Sequence, residues 1–265
     1  MKIFIRELWF FFVRELRACF FAGSFLFILL LSNHIELFGL PRYDFLFLAA
    51  VFIQALMILF KLETVDEAKT ILLFHIVGLA LEIYKTNPAI GSWSYPEFGY
   101  LKVLGVPLYS GFMYAAVGSY IAGAWKSLKL RLAGEPSYKA AVVLCCLIYL
   151  NFFTNHFFED IRWFLIPAVF LLYARTRIYF TPRDRERRMP LSLGFALTAF
   201  FIWIAENIAT YFGACVYPNQ THEWHVVGFQ KITSWFLLVI ISFIIVSYLK
   251  HVKEKRAQGR DMLKA

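Results

Sequence analysis

Apolar residues dominate this chain in long, nearly uncharged runs. They lie near 18–38, 44–61, 68–87, 106–125, 138–158, 161–180, 191–212 and 231–249. Each run is roughly 20 residues, the length needed to cross a hydrocarbon core of about 30 Å. The pattern predicts an all-α fold, a polytopic membrane bundle of about eight transmembrane helices. The second run is short and the first ends in polar residues, so seven spans is the alternative count. Before the first run, Arg6-Glu7-Leu8 and Arg14-Glu15-Leu16 bracket an apolar stretch. That is the pattern of an interfacial helix. The charges also exclude a cleavable signal peptide.

The polar positions inside this apolar background recur. Ser32-Asn33-His34-Ile35-Glu36 returns as Thr154-Asn155-His156-Phe157-Phe158-Glu159. Glu82 followed by Trp93-Ser94-Tyr95-Pro96 returns as Glu206 followed by Cys215-Val216-Tyr217-Pro218. The offset is 122 residues from His34 to His156 and from Tyr95 to Tyr217, and 124 from Glu82 to Glu206. Self-similarity at a fixed offset is a signature of internal repetition. It predicts one integral-membrane domain over 1–265. Repeat one spans 18–125, repeat two spans 138–249, and a basic cytoplasmic tail spans 250–265. Four spans per repeat return the chain to its starting side. The two four-helix repeats are therefore expected to be parallel, related by a pseudo-twofold axis along the membrane normal.

Composition and charge fit this picture. Hydrophobic residues make up 60% of the chain and charged residues 17%, and the mean hydropathy is +0.61. The formal net charge is +9. With eight spans, 22 of the 27 Lys and Arg residues fall on the side of both termini, leaving Arg42, Lys85, Lys102, Arg162 and Lys231 on the other. Lys and Arg gather in cytoplasmic loops. The asymmetry predicts cytoplasmic termini in a bacterial inner membrane. The net charge then reflects topology, with no nucleic-acid partner. The expected partner is membrane lipid, with a lipid-soluble small molecule as candidate ligand; the oligomeric state is open. Cys19, Cys145, Cys146 and Cys215 lack metal-type spacing.

Ionisable groups in lipid are costly and usually serve a function. His34, Glu82, His156 and Glu206 fall at similar depth near the outer ends of odd-numbered spans. They are the candidate catalytic residues. His75 lies two turns before Glu82 on the same helix face. Trp203 lies three residues before Glu206, close enough to reach it. With Trp93, Tyr95, Asn207, Tyr211 and Tyr217 they form the candidate substrate-binding set. The prolines and glycines of 86–111 predict a structured hairpin. Gly111, Ala115, Gly118, Ala122 and Gly123 predict close helix packing. His222-Glu223-Trp224-His225 is a weak metal pattern, and no metal or cofactor is assigned. The alternative for the matched pairs is purely structural, each pinning one helix to another.

Trp93-Ser94-Tyr95-Pro96-Glu97, the stretch Gly105-Val106-Pro107-Leu108-Tyr109-Ser110-Gly111-Phe112-Met113-Tyr114, and Glu206-Asn207-Ile208-Ala209-Thr210-Tyr211 resemble a bacterial integral-membrane family. It is the family of domain of unknown function 817, the YoaT-like proteins. The resemblance covers essentially the whole chain and implies no particular activity. Glu82, Thr86, Gly91, Tyr95 and Gly105-Val106-Pro107-Leu108 are also similar in layout to membrane carotenoid hydratases of the bisanhydrobacterioruberin type, over about 30 residues. Trp93-Ser94-Tyr95-Pro96 and the intervening loop depart from that pattern.

Three function classes follow. The first is an enzyme in which Glu82 or Glu206 performs general acid/base chemistry on an isoprenoid or polyene-like lipid, as a hydratase, cyclase or isomerase. The second is a small-solute transporter or binding protein, which internal duplication also suits. The third is a metal-dependent membrane hydrolase using His34, His75, His156 and the glutamates.

Overall fold

The computed structural model describes residues 2–37 and 39–262. Phe38, the end of the first expected span, and the last three residues of the tail lie outside them. The described residues form nine α-helices and two small antiparallel sheets. The helices are α1 Lys2–Ala18, α2 Phe20–Leu31, α3 Arg42–Leu59, α4 Val65–Thr86, α5 Ser110–Ser127, α6 Tyr138–Thr154, α7 Arg162–Leu172, α8 Leu191–Tyr211 and α9 Gln230–Met262. Three are long and apolar enough to cross a membrane: α3, α8 and the Gln230–Lys250 part of α9.

The expected runs correspond to α2 through α9, with differences at their ends. The helix expected over 161–180 stops at Leu172. Its 11 residues span only about 16 Å at 1.5 Å per residue. Beyond it, Arg177–Phe180 is a strand (β4) between β3, Arg131–Ala133, and β5, Arg187–Pro190. Ile178, Tyr179 and Phe180 are the β-branched and aromatic residues that strands favour. Thr176 fixes the turn before β4 by donating its hydroxyl to Gly134 O at 2.8 Å. The fold is thus mostly helical and not purely so.

The expected hairpin after α4 is present. Strands β1, Lys102–Val103, and β2, Val106–Pro107, are joined by Leu104 and Gly105, both with positive φ. That is the two-residue turn whose twist matches an antiparallel pair. Asp44, near the start of α3, accepts the backbone N–H groups of Tyr100 and Leu101, both at 2.8 Å, and so holds the approach to β1.

Helix α4 begins at a capping box between Thr64 and Glu67, which satisfies two otherwise orphaned donors. It then runs closely along α5. Gly78 faces the Tyr114 ring, Gly111 faces His75, and Gly118 faces the Phe74 ring. The small residues of α5 therefore do what their spacing predicts, letting α4 approach. α5 is the central element, buried along most of its length. Between α1 and α2 the backbone hydrogen bonds continue through Cys19. On the face bearing β3–β5, Arg187 pairs with Glu7 of α1.

Candidate functional site

The site starts from the last turns of α4. Glu82 and Lys85 lie one turn apart there, and both are buried. Asn87-Pro88 ends the helix, and Gly91, at positive φ, turns the chain back. Ser92 N–H then bonds Lys85 O at 3.0 Å. The returning segment aims two donors at the Glu82 carboxylate. Trp93 Nε1 and Tyr95 OH both donate to Oε2 at 2.7 Å. Tyr114 OH of α5 donates to Oε1 at 2.7 Å.

The end of α8 is built in the same way. The helix closes at Tyr211, and Gly213, at positive φ, returns the chain. Tyr217 OH donates to Glu206 Oε1 at 2.7 Å. Trp235 Nε1 of α9 donates to Oε2 at 2.8 Å. Each glutamate thus receives one tyrosine from its own following loop and one aromatic donor from the next long helix, α5 or α9. Burial and the adjacent carboxylates push the Tyr95 and Tyr217 phenols well above their ordinary pKa. Both therefore remain donors.

The two carboxylate clusters touch. Trp93 and Tyr217 meet edge to face with centroids 5.9 Å apart, and Tyr114 and Trp235 lie 6.3 Å apart. Lys231 Nζ sits over Trp93 at 4.6 Å and Tyr217 at 4.5 Å, a cation–π arrangement. Arg42 clamps the loops from outside. It reaches Glu97 at 2.6 Å and the carbonyls of Phe212 and Gly213 at 2.5 and 3.2 Å. Tyr109 OH bonds Ala214 O.

Beside the glutamates lies a second polar group. Lys85 Nζ is 3.0 Å from Asn155 Oδ1 and 2.8 Å from His156 Nε2. Ser92 Oγ is 3.4 Å from the same ring nitrogen. Arg162 pairs with Asp160 at 2.5 Å. Partial desolvation, then the charge of Lys85, holds the His156 pKa below its usual value. Burial alone would raise the Asp160 carboxyl, but hydrogen bonds from Asn151 and Arg162 bring it below the usual range.

One cavity of about 1470 Å³ joins these groups. Glu82, Lys85, Ser92, Trp93, Tyr95, Tyr114, His156, Arg162, Glu206, Tyr217, Lys231 and Trp235 line its polar end. Elsewhere its wall is mostly apolar, with Leu8, Trp9, Leu16, Leu197 and Phe201 among the lining residues, and Glu15 and Tyr120 as polar exceptions. These five apolar residues are also exposed on the protein surface, so the cavity reaches the apolar exterior.

Of the residues singled out in the sequence, Glu82, Glu206, His156, Trp93, Tyr95 and Tyr217 meet at this cavity. The other five lie outside it. His34 is exposed in the turn after α2, its ring 6.5 Å from that of Phe212. His75 shares the face of Glu82 but is covered by α5, with Phe112 4.4 Å away. Trp203 donates to Val227 O at 2.9 Å, and Asn207 Oδ1 accepts Val227 N–H at 2.8 Å. They hold the segment that leads into Lys231. Tyr211 is exposed, edge to face with Trp224.

Sequence reasoning passed over Lys85, Lys231, Arg162, Tyr114 and Trp235. The signal for the three cations was present. They are exceptions to the expected charge asymmetry, and an exception to a topology rule points to a local role. Among the described residues, no group of three or more His, Cys, Asp or Glu side chains is placed to hold a metal.

No solved structure matches the chain. A Bacillus subtilis (strain 168) protein described as "Uncharacterized protein YoaT" is 51% identical over 245 residues, 92% of this chain and 92% of its own length. The family described as "Protein of unknown function (DUF817)" matches residues 7–243, and the chain belongs to that family.

Proposed function

We propose that this is an integral-membrane enzyme that performs acid–base chemistry with Glu206, supported by Glu82, on a lipid-soluble substrate of isoprenoid or polyene type. One observation carries the reading: two aromatic-held carboxylates stand at the polar end of a mostly apolar cavity that reaches the apolar surface. A substrate dissolved in the bilayer can enter such a cavity without crossing water. Glu206 is the reacting group because it accepts two donors and is only half-buried, whereas Glu82 accepts three and is 2% exposed. Glu206 therefore keeps acceptor capacity for a proton in transit. Protonation of a double bond is the common first step of hydration, isomerisation and cyclisation.

Lipid extracts of cells expressing the wild type and Glu206→Gln test this. Gln keeps shape and hydrogen bonding but supplies no such proton. A lipid species formed with the wild type and absent with Glu206→Gln is expected. Identical extracts, with both proteins folded in the membrane, overturn the reading.

The same proposal includes eight membrane segments, α2 to α9, arranged as two parallel repeats with both termini cytoplasmic. Its support is the charge asymmetry and the matched Glu–Tyr bonds. Labelling of cysteines placed at Gly259 and Ser94 is expected to report opposite sides; the same side overturns it. A second reading, passage of a small solute, is favoured by Glu15 and Tyr120, which interact with each other and line the same cavity away from the glutamates.

A further inference from the structure

The structure holds a buried cation that the acid–base reading does not use. Lys85 is 5% exposed, and its Nζ bonds only neutral atoms, Asn155 Oδ1 and His156 Nε2. Two other cations, Lys231 and Arg162, act on it repulsively. Their own needs are met. Arg162 is paired with Asp160 at 2.5 Å, and Lys231 is drawn to Glu206 and Glu82. Among the described residues no carboxylate ion-pairs with Lys85, and the attractive acid it feels, Asp160, already serves Arg162.

A buried charge without a counter-charge is costly, and an anion brought to it recovers much of that cost. The surroundings specify the anion. Lys85, Ser92, Asn155, His156, Arg162 and Lys231 all line the polar end of the cavity. They combine ammonium, guanidinium, hydroxyl and amide groups around one place, which suits an anion with several oxygens. The remainder of the cavity wall is mostly apolar, with Phe25, Leu26, Leu29 and Leu238 among its residues. A ligand filling both parts has a multi-oxygen anionic head and a long hydrocarbon chain.

We propose that the cavity binds an amphiphile with a phosphate-monoester head, its head at Lys85 with Ser92, Asn155 and His156, and its chain among the apolar residues. The proposal deepens the lipid-enzyme reading and rests on it for the entry route. It narrows the substrate class from any lipid-soluble polyene to a lipid carrying a phosphate.

The test uses full-length protein in nanodiscs of zwitterionic lipid and measures equilibrium binding. The probes are geranylgeranyl monophosphate, phosphatidic acid, geranylgeraniol and inorganic phosphate. At least one of the two lipid phosphates is expected to bind tenfold or more tighter than geranylgeraniol and than inorganic phosphate. Whichever of the two binds tighter identifies the chain type. Lys85→Gln, which removes the charge and keeps a polar amide, is expected to weaken that binding about tenfold, roughly 1.4 kcal/mol. Lys85→Arg is expected to restore part of it. Ser92→Ala, a milder change outside the helices, is expected to weaken it less.

Equal affinity for geranylgeraniol and its phosphate overturns the proposal. So does wild-type affinity in both Lys85→Gln and Ser92→Ala. Binding retained in Glu206→Gln supports the headgroup site whatever the outcome for turnover. A Glu206-dependent change in a phosphate-free lipid, without phosphate binding, overturns this inference and leaves the enzyme reading standing.

Discussion

Ser94 and Val216 exchange two backbone hydrogen bonds, Ser94 N–H to Val216 O at 2.9 Å and Val216 N–H to Ser94 O at 3.0 Å. They are 122 residues apart, the same offset that separates Tyr95 from Tyr217. In a twofold contact the same surface meets itself, so a residue faces its own equivalent. This antiparallel bridge has the geometry that the proposed duplication requires, each residue meeting the one at that offset. It also brings the two Tyr–Glu pairs side by side.

Because the clusters touch, the tyrosines are expected to be coupled. Tyr95→Phe removes one of three donors to Glu82, and Tyr217→Phe removes one of two to Glu206. A hydrogen bond to a charged group is worth about 1.5–3 kcal/mol. Each single change is expected to lower unfolding stability by that order. The double change is expected to depart from additivity by about 0.5 kcal/mol or more, as for residues of one network. Denaturation in detergent measures all three variants; strict additivity would mean two independent helix pins.

Much of this site was legible in the sequence, and the limits have physical causes. Glu82, Glu206, Tyr95 and Tyr217 stood out because polar residues in an apolar background need partners. Tyr114 and Trp235 did not, because each is an aromatic residue in an apolar helix, and only the fold shows where its polar atom points. His75 misled for a related reason. Helical periodicity gives the face of α4 that His75 shares with Glu82, but not that His75 packs against Phe112 of α5 while Glu82 lines the cavity. The strand at Arg177–Phe180 was hidden because a short apolar run of this kind reads equally well as helix. Its pairing with β3 and β5, far apart in sequence, decides otherwise.

Gly78 tests the α4–α5 contact. A Cβ there would lie 2.5 Å from Tyr114 Cγ. Gly78→Ala is expected to displace Tyr114 from Glu82 and to cost about 1–3 kcal/mol, as overpacking does. Gly111→Ala is expected to be worse, since a backbone atom, His75 O, stands 2.6 Å from its Cβ position. Gly23 has open space, so Gly23→Ala serves as the tolerated control. Melting temperatures in that order support the packing; equal melting temperatures contradict it.

Arg42→Lys tests the outer clamp. The guanidinium bonds Ser32 Oγ, Glu97 and two carbonyls of the segment after α8. An ammonium has three donors without the planar fork. It can serve the carboxylate but not all of these acceptors. A stability loss of about 1–3 kcal/mol is expected from the acceptors left unpaired, with earlier proteolysis near Gly213. Unchanged protection there would show that Tyr109 and the Ser94–Val216 bridge hold the segment alone.

His156 gives a pH dependence of defined sign. Burial and the Lys85 charge hold its folded pKa below the unfolded value, which is about 6.5. Between the two values the unfolded chain binds more protons, so stability falls as pH drops through about 6.5 and levels off below the folded pKa. The charged groups facing the ring are Lys85, Asp160, Arg162 and Lys231. All are kept in His156→Gln, whose side-chain oxygen can still accept from Lys85. Titrating groups that do not face the ring contribute alike to both proteins and cancel in the comparison. Thermal unfolding between pH 8 and pH 5 is expected to show the wild type losing stability relative to His156→Gln as the solution is acidified. Parallel curves would mean that the imidazole is as free to take a proton beside Lys85 as it is in the unfolded chain.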